Sequence, residues 1–347
     1  MERKPPAGQL DLTAVGLGAS QFHSTVVESA AARSLGRPID DVGSRAGLAP
    51  PGARRLRRAG SLIRQALFLD QEDAYAAGEA VPPALLGVGF LARALVQATL
   101  PHSDPKANEF TRRNGHFTLS ILAPMDVGLP YGRYPRLVLA FLNTEAVRRK
   151  TREIELGPHF SHFCASLGIP PTTGPRGSLP MLREQMQRLF ASTFQCVFHD
   201  EAEGRHAGDG FLVAEKRALW WDPRQPKTDA AWGSHGVLSE RFFKEATEAP
   251  VPLDLRVLRA LRSPFEIDIY VWLTWRLFRL RRPVTIPWAS LALEFGSRYS
   301  NPRHFKKRFL GYLRSVIDYY PEVRLESSAA GLLLRPSPTH IEQRPGR

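Results

Sequence analysis

The sequence predicts an α+β protein, mainly helical, in two successive domains behind a flexible N-terminal arm. Three observations lead there. A length of 347 residues suits about two globular domains. Hydrophobic residues at 43% and charged residues at 23% are those of a globular chain with a sizeable core. The order helix, strand, helix, helix, strand, strand occurs twice, and that is the order of a winged helix-turn-helix. The expectation is therefore two tandem winged helix-turn-helix domains.

Residues 1–52 mix Gly, Ala, Ser and Pro without periodicity and close on Ala49-Pro50-Pro51-Gly52, the composition of an arm. Arg54, Arg55, Arg57 and Arg58 then open an Ala- and Leu-rich helix reaching Gly78, for which a solvated face suffices. A second apolar helix is expected from Leu85 to Leu100, stopped by the turn-rich run Pro101-His-Ser-Asp-Pro105. Phe117–Leu122 alternates like a strand. Tyr134–Lys150 reads as a helix with Pro135 in its first turn and Arg148, Arg149 and Lys150 at its end. Those cations suit either a phosphate backbone or the helix dipole.

The first repeat continues with a strand over Arg152–Leu156, a short helix over Ser161–Leu167 stopped by Gly168, and a helix over Ser178–Ser192. Strands at Phe194–Phe198 and Phe211–Trp221 flank the loop 201–210, the expected wing. The first domain is thus placed at 53–234, and 235–262, broken at Glu248-Ala-Pro-Val-Pro252, is read as a connector. The second domain, 263–338, has helices over Pro264–Leu280, Ser290–Phe295 and Asn301–Tyr319, with strands at Val284–Trp288, Val323–Glu326 and Leu332–Leu334. A tail, 339–347, follows.

The net charge is +13. Ten basic and nine acidic residues nearly balance in 1–80, whereas 250–320 holds thirteen against five, so the excess sits in segments that fold. On the helix from Asn301, Phe305, Phe309, Tyr312 and Val316 fall on one side and Arg303, Lys306, Lys307 and Arg314 on the other. A helix after a tight turn, apolar inside and cationic outside, can enter a DNA major groove, where Arg and Lys reach guanine edges and phosphates. On the helix from Ser178, Leu182, Met186 and Leu189 face inward, while Arg183, Gln187 and Arg188, with Arg176 in the preceding turn, could read adenine and guanine; Glu184 weakens that field. A solvated amphipathic surface is the competing reading for both helices.

Two cysteines, Cys164 and Cys196, are too few for a disulfide framework and point to a reducing compartment. Neither a signal peptide nor a membrane span is expected, because no apolar run follows Arg3 and Lys4 and the most apolar stretch, Phe265–Leu280, is interrupted by four charged residues. No phosphate-binding loop, His-Glu-x-x-His or Gly-x-Ser-x-Gly motif occurs, so the chain reads as a non-enzyme without cofactor. His159-Phe-Ser-His162 with Cys164 lacks a fourth ligand for a metal. Tyr319 and Tyr320 prompt comparison with DNA-nicking tyrosines, but the His-apolar-His triplet that accompanies them is missing.

Leu129-Pro-Tyr-Gly-Arg-Tyr-Pro-Arg136, Thr144-Glu-Ala-Val-Arg148 and Arg183-Glu-Gln-Met-Gln-Arg-Leu-Phe190 closely resemble motifs of RepA-type plasmid replication initiators. Gly89-Phe-Leu-Ala-Arg93, Gln97-Ala-Thr-Leu-Pro-His102, Arg112-Arg-Asn-Gly115, Pro250-Val-Pro-Leu-Asp254 and Asp268-Ile-Tyr-Val-Trp-Leu273 extend the resemblance, which spans about 54 to 338. It implies a bacterial cytoplasmic protein that binds repeated sites, iterons, in double-stranded plasmid origin DNA, helps open the origin, recruits host DnaA and the replicative helicase, and forms dimers that repress its own promoter. A winged-helix transcription regulator without replication activity, and a Tyr-dependent origin nickase, are the alternatives. Pro175, in Thr173-Gly-Pro-Arg-Gly177, departs from the glycine pair of relatives.

Overall fold

The computed structural model describes residues 87–157, 160–200, 205–218, 235–296 and 302–341. The N-terminal arm, the helix from Arg54 and the last six residues lie outside them. Among the described residues the chain is α+β, with all strand pairing antiparallel.

Two helices organise the core. The first, α2 (Arg133–Arg149), is buried almost all round, from Pro135 to Ala146. Such a helix has to satisfy its polar side chains internally. Asn143 donates to Leu139 O and Thr144 to Ala140 O, and Thr144 Oγ1 in turn accepts from Phe90 N at 2.9 Å. The second, α7 (Pro264–Arg279), starts with Pro264 in its first turn behind a capping box, in which Ser263 Oγ accepts from Phe265 N and Glu266 from Ser263 N. Its buried face meets an aromatic cluster: Trp272 lies edge-on to Phe295 and Phe309 with centroids 5.6 and 6.4 Å apart.

The expected helix over Leu85–Leu100 is instead a strand, β1 (Val88–Ala92), followed by the five-residue α1 (Arg93–Gln97). A short apolar run does not distinguish helix from strand. A partner far along the chain decides it: β9 (Pro250–Asp254) pairs with β1, Gly89 opposite Leu253. Gly89 is required there, since a Cβ would stand 2.3 Å from Leu255 Cδ2.

The hairpin β2 (Glu109–Asn114) and β3 (Phe117–Leu122) continues into β5 (Thr193–Asp200) and β6 (Arg205–Leu212), a four-stranded sheet of order β2-β3-β5-β6. The expected wing is thereby corrected. Residues 205–210 are strand, and 201–204 lie outside the described residues. The strand expected at Phe211–Trp221 divides between the end of β6 and β7 (Ala214–Ala218).

The remaining sheets share one plan. β4 (Glu153–Glu155) is followed by α3 (Phe160–Ser166), α4 (Ser178–Ala191), β7 and β8 (His235–Leu238), in sheet order β4-β8-β7. β10 (Val284–Pro287) is followed by α8 (Trp288–Glu294), α9 (Pro302–Tyr319), β11 (Leu325–Ser327) and β12 (Gly331–Leu334), in sheet order β10-β12-β11. In each, the last strand lies between the other two. The first unit also receives β5 and β6 between its second helix and its hairpin. Residues 235–262 hold β8, α5 (Glu240–Glu248), β9 and α6 (Leu255–Ala260), all joined to earlier elements.

The two units are locked by one buried ion pair. Arg136 of α2 donates from Nε and Nη2 to Asp268 of α7 at 2.7 and 2.8 Å, and from its remaining N–H groups to Leu100 O, Pro101 O and Gly132 O. His102 Nε2 lies 2.7 Å from Asp268 Oδ2. Burial pushes the Asp268 carboxyl up, but the Arg136 charge and the hydrogen bonds from His102 and Arg136 outweigh it and hold the group at about 2. Among the described residues no helix is long and apolar enough to cross a membrane.

Breaking a buried pair leaves a stranded charge, so Arg136→Met alone is expected to cost about 3–5 kcal/mol in urea unfolding, and Arg136→Met with Asp268→Leu to cost less than the two single changes summed. A depressed carboxyl pKa gives stability that is present above about pH 4 and lost as the pH falls through about 2. Unfolding midpoints of Asp268→Asn should accordingly fall less steeply than those of the parent over that window.

Candidate nucleic-acid interface

The turn before α4 is built by side chains. Thr172 N donates to Ser178 Oγ and Ser178 N to Thr172 Oγ1, each at 2.9 Å, while Leu179 N reaches Thr172 O. Gly174 has φ +92°, and a Cβ on Gly177 would lie 2.4 Å from Thr172 O. Pro175 sits between these glycines without disturbing the closure, since Gly177 N still bonds Gly174 O. The chain then enters α4 with Leu182, Met186 and Leu189 fully buried.

The outer surface of α4 differs from the expected one. Arg176 and Gln187 are exposed and Arg183 is half-buried. Arg188 turns inward: its side chain is 16% exposed, pairs with Glu184 at 2.7 Å, donates to Leu129 O at 3.2 Å and covers the Tyr131 ring at 5.3 Å. Gln185, unmarked in the sequence reading, accepts from Tyr131 N at 2.8 Å. One face of α4 thus grips residues 129–131, and Arg188 belongs to that scaffold. The Leu129–Tyr131 backbone and the Gln185/Arg188 spacing of three carry the signal only once they are known to touch.

At the end of α2, Arg148 donates to Val88 O at 2.5 Å, and burial lowers its pKa. Arg149 pairs with Glu145 at 2.6 Å and faces Glu155. Lys150 caps the helix with φ +56° and is exposed. Of the three cations proposed there, Arg148 and Arg149 hold the helix end to its surroundings.

α9 matches its expected polarity more closely. Phe305, Phe309, Leu313 and Val316 are buried; Tyr312 sits at the margin against Phe265, and Leu313 takes the deeper position. Arg303, His304, Lys307, Arg308 and Arg314 are exposed, and no acidic residue occurs between Pro302 and Ile317. Lys306 departs from the set. It donates to Ser328 O at 2.6 Å, with its ammonium 5.0 Å from the Trp288 ring centre, and so fastens the helix to the β11–β12 turn.

Tyr320 is fully buried, and its hydroxyl donates to Pro338 O at 2.6 Å. Burial raises its pKa, as it does that of half-buried Tyr319. Among the described residues no cluster of three or more His, Cys, Asp or Glu is placed to hold a metal ion; His159 lies outside them. Burial pushes the Cys164 thiol up to about 12.

These features define an α+β protein with two units of one helix and sheet plan, one of which presents a cationic helix face. Residues 129–289 match the family described as plasmid encoded RepA protein, and the resemblance to RepA-type replication initiators is borne out on this stretch. No curated protein matches the chain. Among solved structures, selenomethionine derivatives of domains 2 and 3 of RctB are similar with TM-score 0.47 and 11% identity, covering 76% of this chain and 100% of that one. A second structure of RctB domains 2–3 gives TM-score 0.44 and 13% identity, covering 69% and 94%.

A methyl group at Gly177 has nowhere to go, so Gly177→Ala is expected to destabilise by about 1–3 kcal/mol. Exposed Lys307→Ala should stay within about 0.5 kcal/mol of the parent. Thermal unfolding of the two variants checks both.

Proposed function

We propose that this chain initiates plasmid replication by binding repeated sites in double-stranded origin DNA, without enzymatic activity of its own. The observation that carries the reading is the cationic outer face of α9, with Arg303, Lys307 and Arg314 exposed on a helix that lies in the same sheet plan as α4. That plan supports reading both units as winged helices, with β7–β8 and β11–β12 as the hairpins. α9 would enter one major-groove segment. Arg176, Arg183 and Gln187 of the α4 unit would contact a neighbouring one, and Lys150 a phosphate. Two modest contacts on one chain raise each other's effective concentration. Opening of the adjacent duplex, recruitment of host DnaA and helicase, and autorepression by a dimer complete the proposal on the strength of the RepA resemblance. The buried, hydrogen-bonded Tyr320 supports a non-nicking protein.

Fluorescence anisotropy on an iteron duplex from the flanking plasmid segment tests the reading. Lys307→Ala with Arg314→Ala is expected to weaken binding at least about tenfold, each lost contact being worth roughly 1–3 kcal/mol. With about six cations each neutralising one phosphate, log affinity should fall against log salt with a slope of about −5. Salt-independent binding, or unchanged affinity in the folded double variant, would falsify the assignment. Supercoiled origin DNA incubated with the protein and Mg²⁺ should remain uncut.

A further inference from the structure

The C-terminal end of α7 borders a cleft that neither helix-turn-helix unit uses. A cavity of about 320 Å³ lies between α7, the outer edge of β9, the start of α1 and residues 339–341. That volume is in the range of ligand-sized sites. Trp275, 6% exposed, and Val251, 7% exposed, line it, and Phe278 stands 39% exposed beside them. Arg93 and Arg279 also line the cavity, the Arg279 guanidinium 5.9 Å from the Trp275 ring centre. Burial and the positive charge of Arg93 both lower the Arg279 pKa, so the two cations share one space. Among the described residues no acidic side chain lines the cavity; the carboxyl whose field meets Arg93 is that of Glu245, on α5. Arg281 and Arg282, both exposed, extend the positive charge past the helix end.

Chemistry narrows the occupant. Pro250 and Pro252 have no N–H, and Asp254 N is taken by Tyr270 Oη at 2.9 Å, so the outer edge of β9 offers an incoming strand no donor. Binding by strand addition is closed. A single-stranded nucleic acid would need open ring faces for successive bases, whereas Trp275 is buried and Phe278 alone is exposed. What remains is an apolar recess lined by two guanidiniums and, among the described residues, by no carboxylate, the arrangement of a buried anchor with a charged surround.

We propose that this cleft docks an acidic-hydrophobic segment of a protein partner, seating one apolar side chain against Trp275 and Val251 and pairing its carboxylates with Arg93 and Arg279. The test uses the full chain and a fluorescein-labelled peptide, Glu-Asp-Leu-Phe-Asp-Glu, in anisotropy titrations. Saturable binding is expected, reduced at least about tenfold by Arg279→Glu and by replacing the peptide's Leu-Phe with Ala-Ala. Arg93→Glu gives an independent second variant. Circular dichroism and iteron-duplex affinity, the latter read on α4 and α9, neither of which lines this cleft, verify that each variant is folded. Absence of peptide binding to the parent overturns the proposal, as does binding that both variants leave unchanged. So does a labelled oligothymidine that competes with the peptide and loses affinity in the same variants, since the cleft would then serve nucleic acid.

Discussion

The structure depends on one guanidinium. All five N–H groups of Arg136 have acceptors: two on Asp268, two on the Leu100 and Pro101 carbonyls that follow α1, and one on Gly132 O at the start of α2. A buried cation is tolerated only on such terms, because any donor left over would carry its full desolvation cost. The consequence is geometric. α2 belongs to the first unit and α7 to the second, so the pair fixes how the two central helices cross, and every element hung on them inherits that placement. His102 completes the arrangement, and its contact with the Phe265 ring at 4.9 Å joins it to the aromatic core of the second unit.

Three of the segments that carry the resemblance to RepA-type proteins, those ending at His102 and Arg136 and the one beginning at Asp268, meet at this site. The segment Leu129–Arg136 also meets a fourth, Arg183–Phe190, where Gln185 and Arg188 hold the Leu129–Tyr131 backbone. Most of what makes the sequence recognisable is thus the fastening of one helix to another. A second junction works the same way: the buried Glu294 carboxyl accepts from Asn114 of the β2–β3 hairpin and from Trp272 of α7, both at 2.9 Å.

Helices with a long one-sided apolar stripe were legible in the sequence. α4, α7 and α9 start and stop within a residue or two of where periodicity, Pro264 and the turn residues place them. β1 was not, since the partner that makes Val88–Ala92 a strand lies about 160 residues further on. The pairing of β4 with β8, Glu153 opposite Val237, was hidden for the same reason, and with it the true third strand of the first unit. Among the proposed contact residues, periodicity placed Lys307 and Arg314 correctly on the outside. It could not separate Arg188 and Lys306 from them, because a helical wheel gives a side chain's direction but not its reach: a long cation can fold back onto a carbonyl two segments away.

The edge of β9 has a further bearing on how this protein behaves in solution. A two-stranded ribbon ordinarily leaves a row of free amides along its outer strand, and such a row invites the same ribbon of another molecule to pair with it. Here prolines at alternate positions remove the amides, and a tyrosine hydroxyl takes the next one. That edge is therefore sterile as a template for self-association through its backbone, and a basic protein is spared one route to aggregation.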